Sequence, residues 1–299
     1  MERSVVALTS SSVNEEAYSE IQIQLDSHEV SPKLIIFFSE VNMLWFFSQK
    51  LQKRYPDAVV IGSSTYVNFN SEGYSHSGAS VIAINSDIEV AAGLIFDIDR
   101  HPGMYKAHIT KALNQLSSCE NTCCLEFMTA FGKSEELVLD TFEEILRGTN
   151  IKVAGSTAGS NIDEKTSAVA LNGDIFVESC AFIFIHNLQG KIQLYRENLF
   201  RPTTHQLRIT DVDCEQQRVY EFESKPAAEV LCNLLNVDKA NLLKTLKINP
   251  IGRIEGENIL ISEAKEIMSD DSIVYYTRLY NMTRVVLLEI DHFDSVCQW

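Results

Sequence analysis

The chain states one pattern twice. From Leu34 it runs LIIFFSE, then an amphipathic stretch, VNMLWFFSQKLQKRY, then VVIGSST; from Leu125 it runs LEFMTAF, then SEELVLDTFEEILRG, then KVAGSTAG. Each second apolar run ends in a glycine–hydroxyl turn, Gly62-Ser63-Ser64-Thr65 in the first copy and Gly155-Ser156-Thr157 in the second. An apolar run, an amphipathic segment and a second apolar run read as strand–helix–strand. A repeat of such a unit restricts the fold more than any single motif does. Leu34–Phe38 is apolar at every position, as a strand covered on both faces requires.

The flanking segments extend the repeat. Residues 4–8 predict a strand. Ser12 and Glu15 have capping-box spacing ahead of a helix with Val13, Ala17, Ile21 and Leu25 inward. Met43–Tyr55 predicts the next helix, closed by Pro56, and Ala58–Ile61 the strand entering the first turn. Residues 66–78 read as a polar loop. Ala79–Ile84 and Val90–Ile95 read as an antiparallel pair joined by Asn85-Ser86-Asp87. Pro102–Leu116 reads as a helix with proline in its first turn. After the second turn, Asn172-Gly173 between SAVAL and DIFVESCAFIFI is a type I′ hairpin signal.

A change of composition at Leu199–His205 places a domain boundary there, dividing the chain into 1–200 and 201–299. The second part predicts strands over 206–212 and 218–222. A helix follows from Pro226 to Leu235 with Ala227, Val230, Leu231 and Leu234 inward, and then strand-like runs through 248–290. The expected class is α/β, with mixed, largely antiparallel sheets under covering helices. The N-terminal domain carries internally duplicated strand–helix–strand units, and the C-terminal domain is a smaller α+β unit.

Charge excludes one class of partner. The chain has 25 Lys+Arg against 41 Asp+Glu, a formal net charge of -16, and no basic cluster, so a phosphate backbone is repelled and nucleic acid is not expected. The apolar run in MERSVVALTSSS is too short for a secretory leader, and Met43–Phe47 is far short of a membrane span. A cytoplasmic protein without membrane insertion is expected. The seven cysteines, at 119, 123, 124, 180, 214, 232 and 297, form no CxxC pair. Cys180 and Cys232 read as small core residues, and Cys119, Cys123 and Cys124 are too crowded for a disulfide framework or a spaced metal site, so no metal is expected. Asp97 and Asp99 read as the close of a strand.

Glycine–hydroxyl turns at strand ends suit small anions and carboxylates. Glycine admits close approach of the backbone, while successive N–H groups and hydroxyls donate. In open α/β sheets, ligands favour the carboxyl ends of strands. The candidate ligand-binding residues are Gly62, Ser63, Ser64, Thr65, Gly155, Ser156, Thr157, Gly159 and Asn161. For either turn alone, the alternative is that its hydroxyls satisfy local backbone. Gly155-Ser156-Thr157-Ala158-Gly159 is no nucleophile elbow, because its centre is threonine and no helix follows. With no histidine or carboxylate paired to a nucleophile, an enzyme is not expected. His205 at the domain boundary and His76 in the loop after the first turn are the foremost haem-ligand candidates, ahead of His186, because loops and seams line clefts.

Assembled, these residues make the chain resemble the FIST family (F-box and intracellular signal transduction). The N-terminal part resembles a FIST N domain through VVIGSST, ASVIAI, VAGSTAG and AVALNGDIFVESCAFIFI. The remainder resembles a FIST C domain through LRITDVDCEQQRVYEFESKPAAEVLCNLL and NPIGRIEGENILISEAKEI. There are three departures. Tyr66-Val67 follow the first turn where the family has a small residue and glycine, Ser262 stands where arginine is common, and the chain ends at Trp299, short of the usual terminal helices. The resemblance implies a cytoplasmic sensory input domain for a small ligand such as an amino acid or similar metabolite. Its bacterial output partner would be a histidine kinase, a chemotaxis receptor or a diguanylate cyclase. The alternative it implies is a haem-binding nitric oxide sensor acting on a histidine kinase or a cyclic-di-GMP pathway. The ligand would lie between the repeats or at the seam with the C-terminal domain.

Overall fold

The computed structural model describes residues 4–29, 31–70, 73–85, 87–96, 102–130, 135–159, 166–195, 198–256 and 258–291. The chain folds as two compact units, Met1–Leu194 and Tyr195–Trp299.

The first unit consists of two copies of one topology. The first copy is β1 (Ser4–Thr9), α1 (Asn14–Asp26), β2 (Leu34–Ser39), α2 (Val41–Arg54), β3 (Val59–Ser64), β4 (Asn68–Asn70), β5 (Gly73–Ser75) and β6 (Ala79–Ile84). The second is β7 (Ile88–Phe96), α3 (Pro102–Leu113), β8 (Thr122–Met128), α4 (Glu135–Leu146), β9 (Lys152–Thr157), β10 (Val169–Leu171), β11 (Asp174–Phe176) and β12 (Ser179–Asn187). Strand order is β1-β6-β2-β3 in one sheet and β7-β12-β8-β9 in the other, the same arrangement element for element. In each copy the strand–helix–strand unit forms a parallel pair, β2 with β3 and β8 with β9, and the remaining pairs are antiparallel.

Side-chain alternation explains the apolar runs. Ile35, Phe37 and Val60 pack with Ala17, Ile21, Leu44 and Phe47 of α1 and α2. Leu34, Ile36 and Ile61, on the opposite face, pack with Phe127, Ala181 and Ile183 of the second sheet. Cys124, Met128 and Phe182 turn the other way, toward Tyr105, Ile109, Val138 and Phe142 of α3 and α4. The layers are therefore helix, sheet, sheet, helix, and central strands meet apolar surface on both faces.

Several local expectations change. Ala79–Ile84 and the strand after it do not pair with each other. β6 pairs with β1 and β2, whereas β7 pairs with β12, so the chain passes from one sheet to the other between Ile84 and Ile88. The turn chemistry was legible, but the hydrophobic faces on both sides favoured separate sheets. No capping box forms at α1. Its N-cap is Val13, which is half exposed, and Ser11 Oγ accepts from Val13 N–H at 3.2 Å. Residues 66–78 contain the β4–β5 hairpin in place of a continuous loop. Asn172 and Gly173 do form the turn, with φ of 49° and 95° and Leu171 opposite Asp174. That hairpin leaves its own copy, however. β10 pairs antiparallel with β3 of the first copy, Ala170 opposite Gly62, extending the first sheet to β1-β6-β2-β3-β10-β11. Asp97, Asp99 and Cys297 lie outside the described residues.

The second unit is built on one sheet. Its elements are β13 (Phe200–Asp213), β14 (Arg218–Phe222), β15 (Lys225–Pro226), α5 (Ala227–Leu235), α6 (Lys239–Leu246), β16 (Ile251–Glu255), β17 (Asn258–Ser262), β18 (Ala264–Ile267), β19 (Ile273–Tyr275) and β20 (Arg284–Ile290). Strand order is β17-β16-β20-β13-β14-β19-β18, with β15 on β14. Helix α6 was not expected, although its signal is readable in retrospect. Asp238 Oδ1 accepts from Asn241 N–H at 2.9 Å as N-cap, and Leu242 and Leu246 are buried. The core of this unit holds Tyr275, fully buried beside Phe222, Leu231 and Leu287, and its hydroxyl has no hydrogen-bond partner among the described residues. An unmet buried hydroxyl costs about 1–3 kcal/mol. Tyr275→Phe should therefore raise stability in urea denaturation by about 1 kcal/mol. A loss of stability would show that the hydroxyl is bonded in solution.

Candidate functional site

The two glycine–hydroxyl segments were expected to be turns, but Gly62–Ser64 and Gly155–Thr157 are the last residues of β3 and β9, paired in register with Phe37–Ser39 and Glu126–Met128. The chain turns only beyond them, and the fold brings Ser64, at the end of the first, against Gly159, just past the second. Gly159 N–H donates to the Ser64 carbonyl at 2.8 Å, and Ser64 Oγ donates back to the Gly159 carbonyl at 2.6 Å. Ser64 Oγ also accepts from Ala168 N–H at 3.1 Å, and Ser64 N–H donates to the Ala168 carbonyl at 2.9 Å. Ser64 thus ties the first turn to the second turn and to the segment entering β10.

The environments of the turns differ sharply. Gly62, Ser63 and Ser64 are buried, whereas Gly155, Ser156 and Thr157 are exposed. The hairpin from the second copy lies over the first turn, and β9 ends its own sheet. In the first turn the hydroxyls serve the backbone. Ser63 Oγ donates to the Ser64 carbonyl at 3.1 Å, and Thr65 Oγ1 donates to the Val67 carbonyl at 2.8 Å. The second turn presents its groups to solvent. Asn161 lies outside the described residues.

Each turn glycine admits a large neighbour from the adjacent parallel strand. A Cβ on Gly62 would lie 2.4 Å from the ring of Phe37, and one on Gly155 would lie 2.5 Å from Glu126 Oε1. Phe37 is opposite Gly62 in register, as Glu126 is opposite Gly155. The second copy therefore holds a carboxyl where the first holds a core aromatic. Glu126 is 6 % exposed and receives a long contact from Cys180 Sγ at 3.7 Å. Burial, with a smaller contribution from Glu135, pushes its pKa up to about 7 against the weak lowering by the Cys180 thiol. Burial also raises Glu135, and the thiols of Cys124 and Cys180 are pushed well up, first by burial and then by the Glu126 charge. Sequence reading missed Glu126. Its signal was a single acid in an otherwise apolar run, TCCLEFM, where the first copy has none.

The three histidines have different settings. His76 is exposed, with its ring 4.8 Å from that of Tyr66 and 5.9 Å from that of Tyr74. Its Nδ1 lies 3.2 Å from the Tyr66 carbonyl, to which the Nδ1–H tautomer donates. His205 belongs to the second unit, exposed on β13 where its register with β20 shifts. His186 is buried with Nδ1 3.1 Å from Thr122 Oγ1, a satisfied core group. Among the described residues no trio of His, Cys, Asp or Glu is disposed to hold a metal ion, and no helix is long and apolar enough to cross a membrane.

Two expectations follow from this geometry. Ser64→Ala should destabilise the chain by about 2 kcal/mol, because it strands the buried Ala168 N–H and the partly buried Gly159 carbonyl, while Ser156→Ala should change stability by less than about 0.5 kcal/mol. Equal effects in urea denaturation would contradict the division between a structural and an open turn. Glu126, with its folded pKa raised above the ordinary 4.5, adds stability that is full below pH 4.5 and is lost as pH rises through about 7. The wild type should therefore lose up to about 3 kcal/mol relative to Glu126→Gln between pH 5 and pH 8. Parallel pH profiles of the two proteins would show that the carboxyl is not buried as described.

No curated protein matches the chain. The FIST N domain matches residues 33–225, which take in most of the first unit together with β13, β14 and the start of the second. The FIST C likeness of the remaining segment has no such match and stays a resemblance. With the family match covering well over half of its length, this chain belongs to the FIST family of signal-transduction sensory domains.

Proposed function

We propose that the first unit senses a small zwitterionic metabolite, of the amino acid class, at the open second turn. The observation that carries this reading is the contrast between two equivalent turns. One is buried and consumed by its own backbone, and the other is exposed with a buried acid beside its glycine. Gly155 and Thr157 share the α4-facing side of β9 with Glu126, because registered residues of parallel strands point the same way. Ser156 points to the opposite face. On that arrangement Thr157 Oγ1 donates to the ligand carboxylate, and Glu126 accepts from the ligand ammonium across the bare Cα of Gly155. Ionised Glu126 is the form that pairs with an ammonium, so affinity rises as pH rises through about 7.

The Ser64–Gly159 clasp gives such a ligand leverage. A molecule that holds Gly155–Thr157 acts on a strand whose end is bonded to the other copy through both the N–H and the carbonyl of Gly159. A signal follows if the ligand favours one arrangement of that clasp, since only differential affinity moves a population. A sensory role also fits the family, and the output partner would be a bacterial kinase, chemotaxis receptor or cyclase in a cytoplasmic setting. Neither haem candidate has surroundings that favour the gas-sensor reading.

A panel of free amino acids, screened by thermal shift and followed by calorimetry, tests this placement. The expected outcome is a saturable ligand whose affinity rises from pH 6 to pH 8. Thr157→Ala and Glu126→Gln should each weaken it about tenfold or more, equivalent to one charged or strong hydrogen bond, and Ser156→Ala should not. An amino acid ligand bound equally well by Thr157→Ala and Glu126→Gln would place the site elsewhere.

A further inference from the structure

We infer that the outer edge of β9 is a docking edge for an extended segment of a partner protein, which adds to the second sheet as an antiparallel strand. The inference rests on backbone geometry and does not depend on the ligand reading above. In the first copy, Ser64 N–H donates to the Ala168 carbonyl, and the Val60 carbonyl accepts from Asn172 N–H. Val60, Gly62 and Ser64 therefore point away from β2, and β10 satisfies them in the register Val169↔Ser63, Ala170↔Gly62, Leu171↔Ile61. In the second copy, Ala158 N–H donates to the Met128 carbonyl. By the period of two, Ala154 and Ser156 also face β8, and Val153, Gly155 and Thr157 point outward. Gly155 is the counterpart of Gly62, yet among the described residues no strand pairs with this edge, and Gly155, Ser156 and Thr157 are exposed.

An exposed edge strand without proline or bulge is a template for strand addition. The occupant of the equivalent edge specifies what fits. Val169 faces the layer between the sheets and Ala170 faces the helix layer beside Phe37. A partner strand on β9 accordingly has an apolar residue on each side of a small one, the small residue standing opposite Gly155. A bulky residue there would crowd the carboxyl of Glu126, which lies across that glycine.

The test uses the full chain and a synthetic peptide of the sequence SAVALNGDIF, which matches the segment that fills the equivalent edge. Amide hydrogen exchange is read at Val153, Gly155 and Thr157, with Ala154 and Ser156 as internal controls already facing β8. The peptide should slow the three outward amides by about tenfold or more at saturation, and the same peptide with Ala170→Pro should not. Outward amides that exchange at an unchanged rate up to millimolar peptide would overturn the proposal. So would outward amides already protected in the chain alone. Protection that grows with protein concentration would identify a second copy as the occupant, and protection independent of concentration would show the edge closed within the chain.

Discussion

The pairing of β10 on β3 is the interaction on which the character of the first unit depends. It moves a hairpin made by the second copy onto the sheet of the first, and it is anchored at several points. Asn172 N–H donates to the Val60 carbonyl at 2.7 Å, the Asn172 side chain accepts from Val60 N–H at 3.1 Å, and Gln49 Nε2 reaches the Gly173 carbonyl at 2.6 Å. Each bond adds only about 1 kcal/mol net, but the backbone groups of the buried Val60 and Gly173 would cost more if left unmet. Two copies that share strand order, helices and turns are made unequal by this exchange, since one edge is completed and the other is left at the surface.

That inequality organises the chemistry. Under the hairpin, the first turn becomes a joint, and Ser64 binds backbone on either side of it. At the open edge, the second turn keeps its hydroxyls and outward amides, and Glu126 takes the place that Phe37 holds in the first copy. A carboxyl at that place is destabilising in its charged form. It is tolerated because its raised pKa leaves much of it neutral near pH 7, and glycine on the last strand of the sheet leaves room for the side chain. The cost of charging it, close to neutral pH, links the protonation state of the site to the stability of the unit that carries it.

Much of the fold was legible in the residues. Leu34–Phe38 announced a strand covered twice, Asn172-Gly173 announced its turn, and Ala17, Ile21 and Leu25 announced the buried stripe of α1. Less legible were features that depend on where two distant segments meet. Asn85 and Asp87 have the chemistry of a hairpin turn, but the strands beside them had better partners, β1 and β2 on one side and β12 on the other. Ser12 and Glu15 have capping spacing, but Ser11 reached the helix start instead. Helix α6 passed unnoticed because its apolar positions are few and its cap, Asp238, follows directly on the preceding helix.

The sequence by itself determined the duplication, the class of fold and the position of both glycine–hydroxyl segments, because these follow from hydrophobic period and from the order in which apolar runs give way to small and hydroxyl residues. Which turn is open was decided only by tertiary structure. Gly62-Ser63-Ser64 and Gly155-Ser156-Thr157 are nearly the same string. They differ in exposure because strand pairing brings Val169–Leu171 to one edge and not to the other. Glu126 gained its role in the same way, since a lone acid in TCCLEFM acquires a raised pKa only when helices α3 and α4 cover it and Gly155 stands beside it.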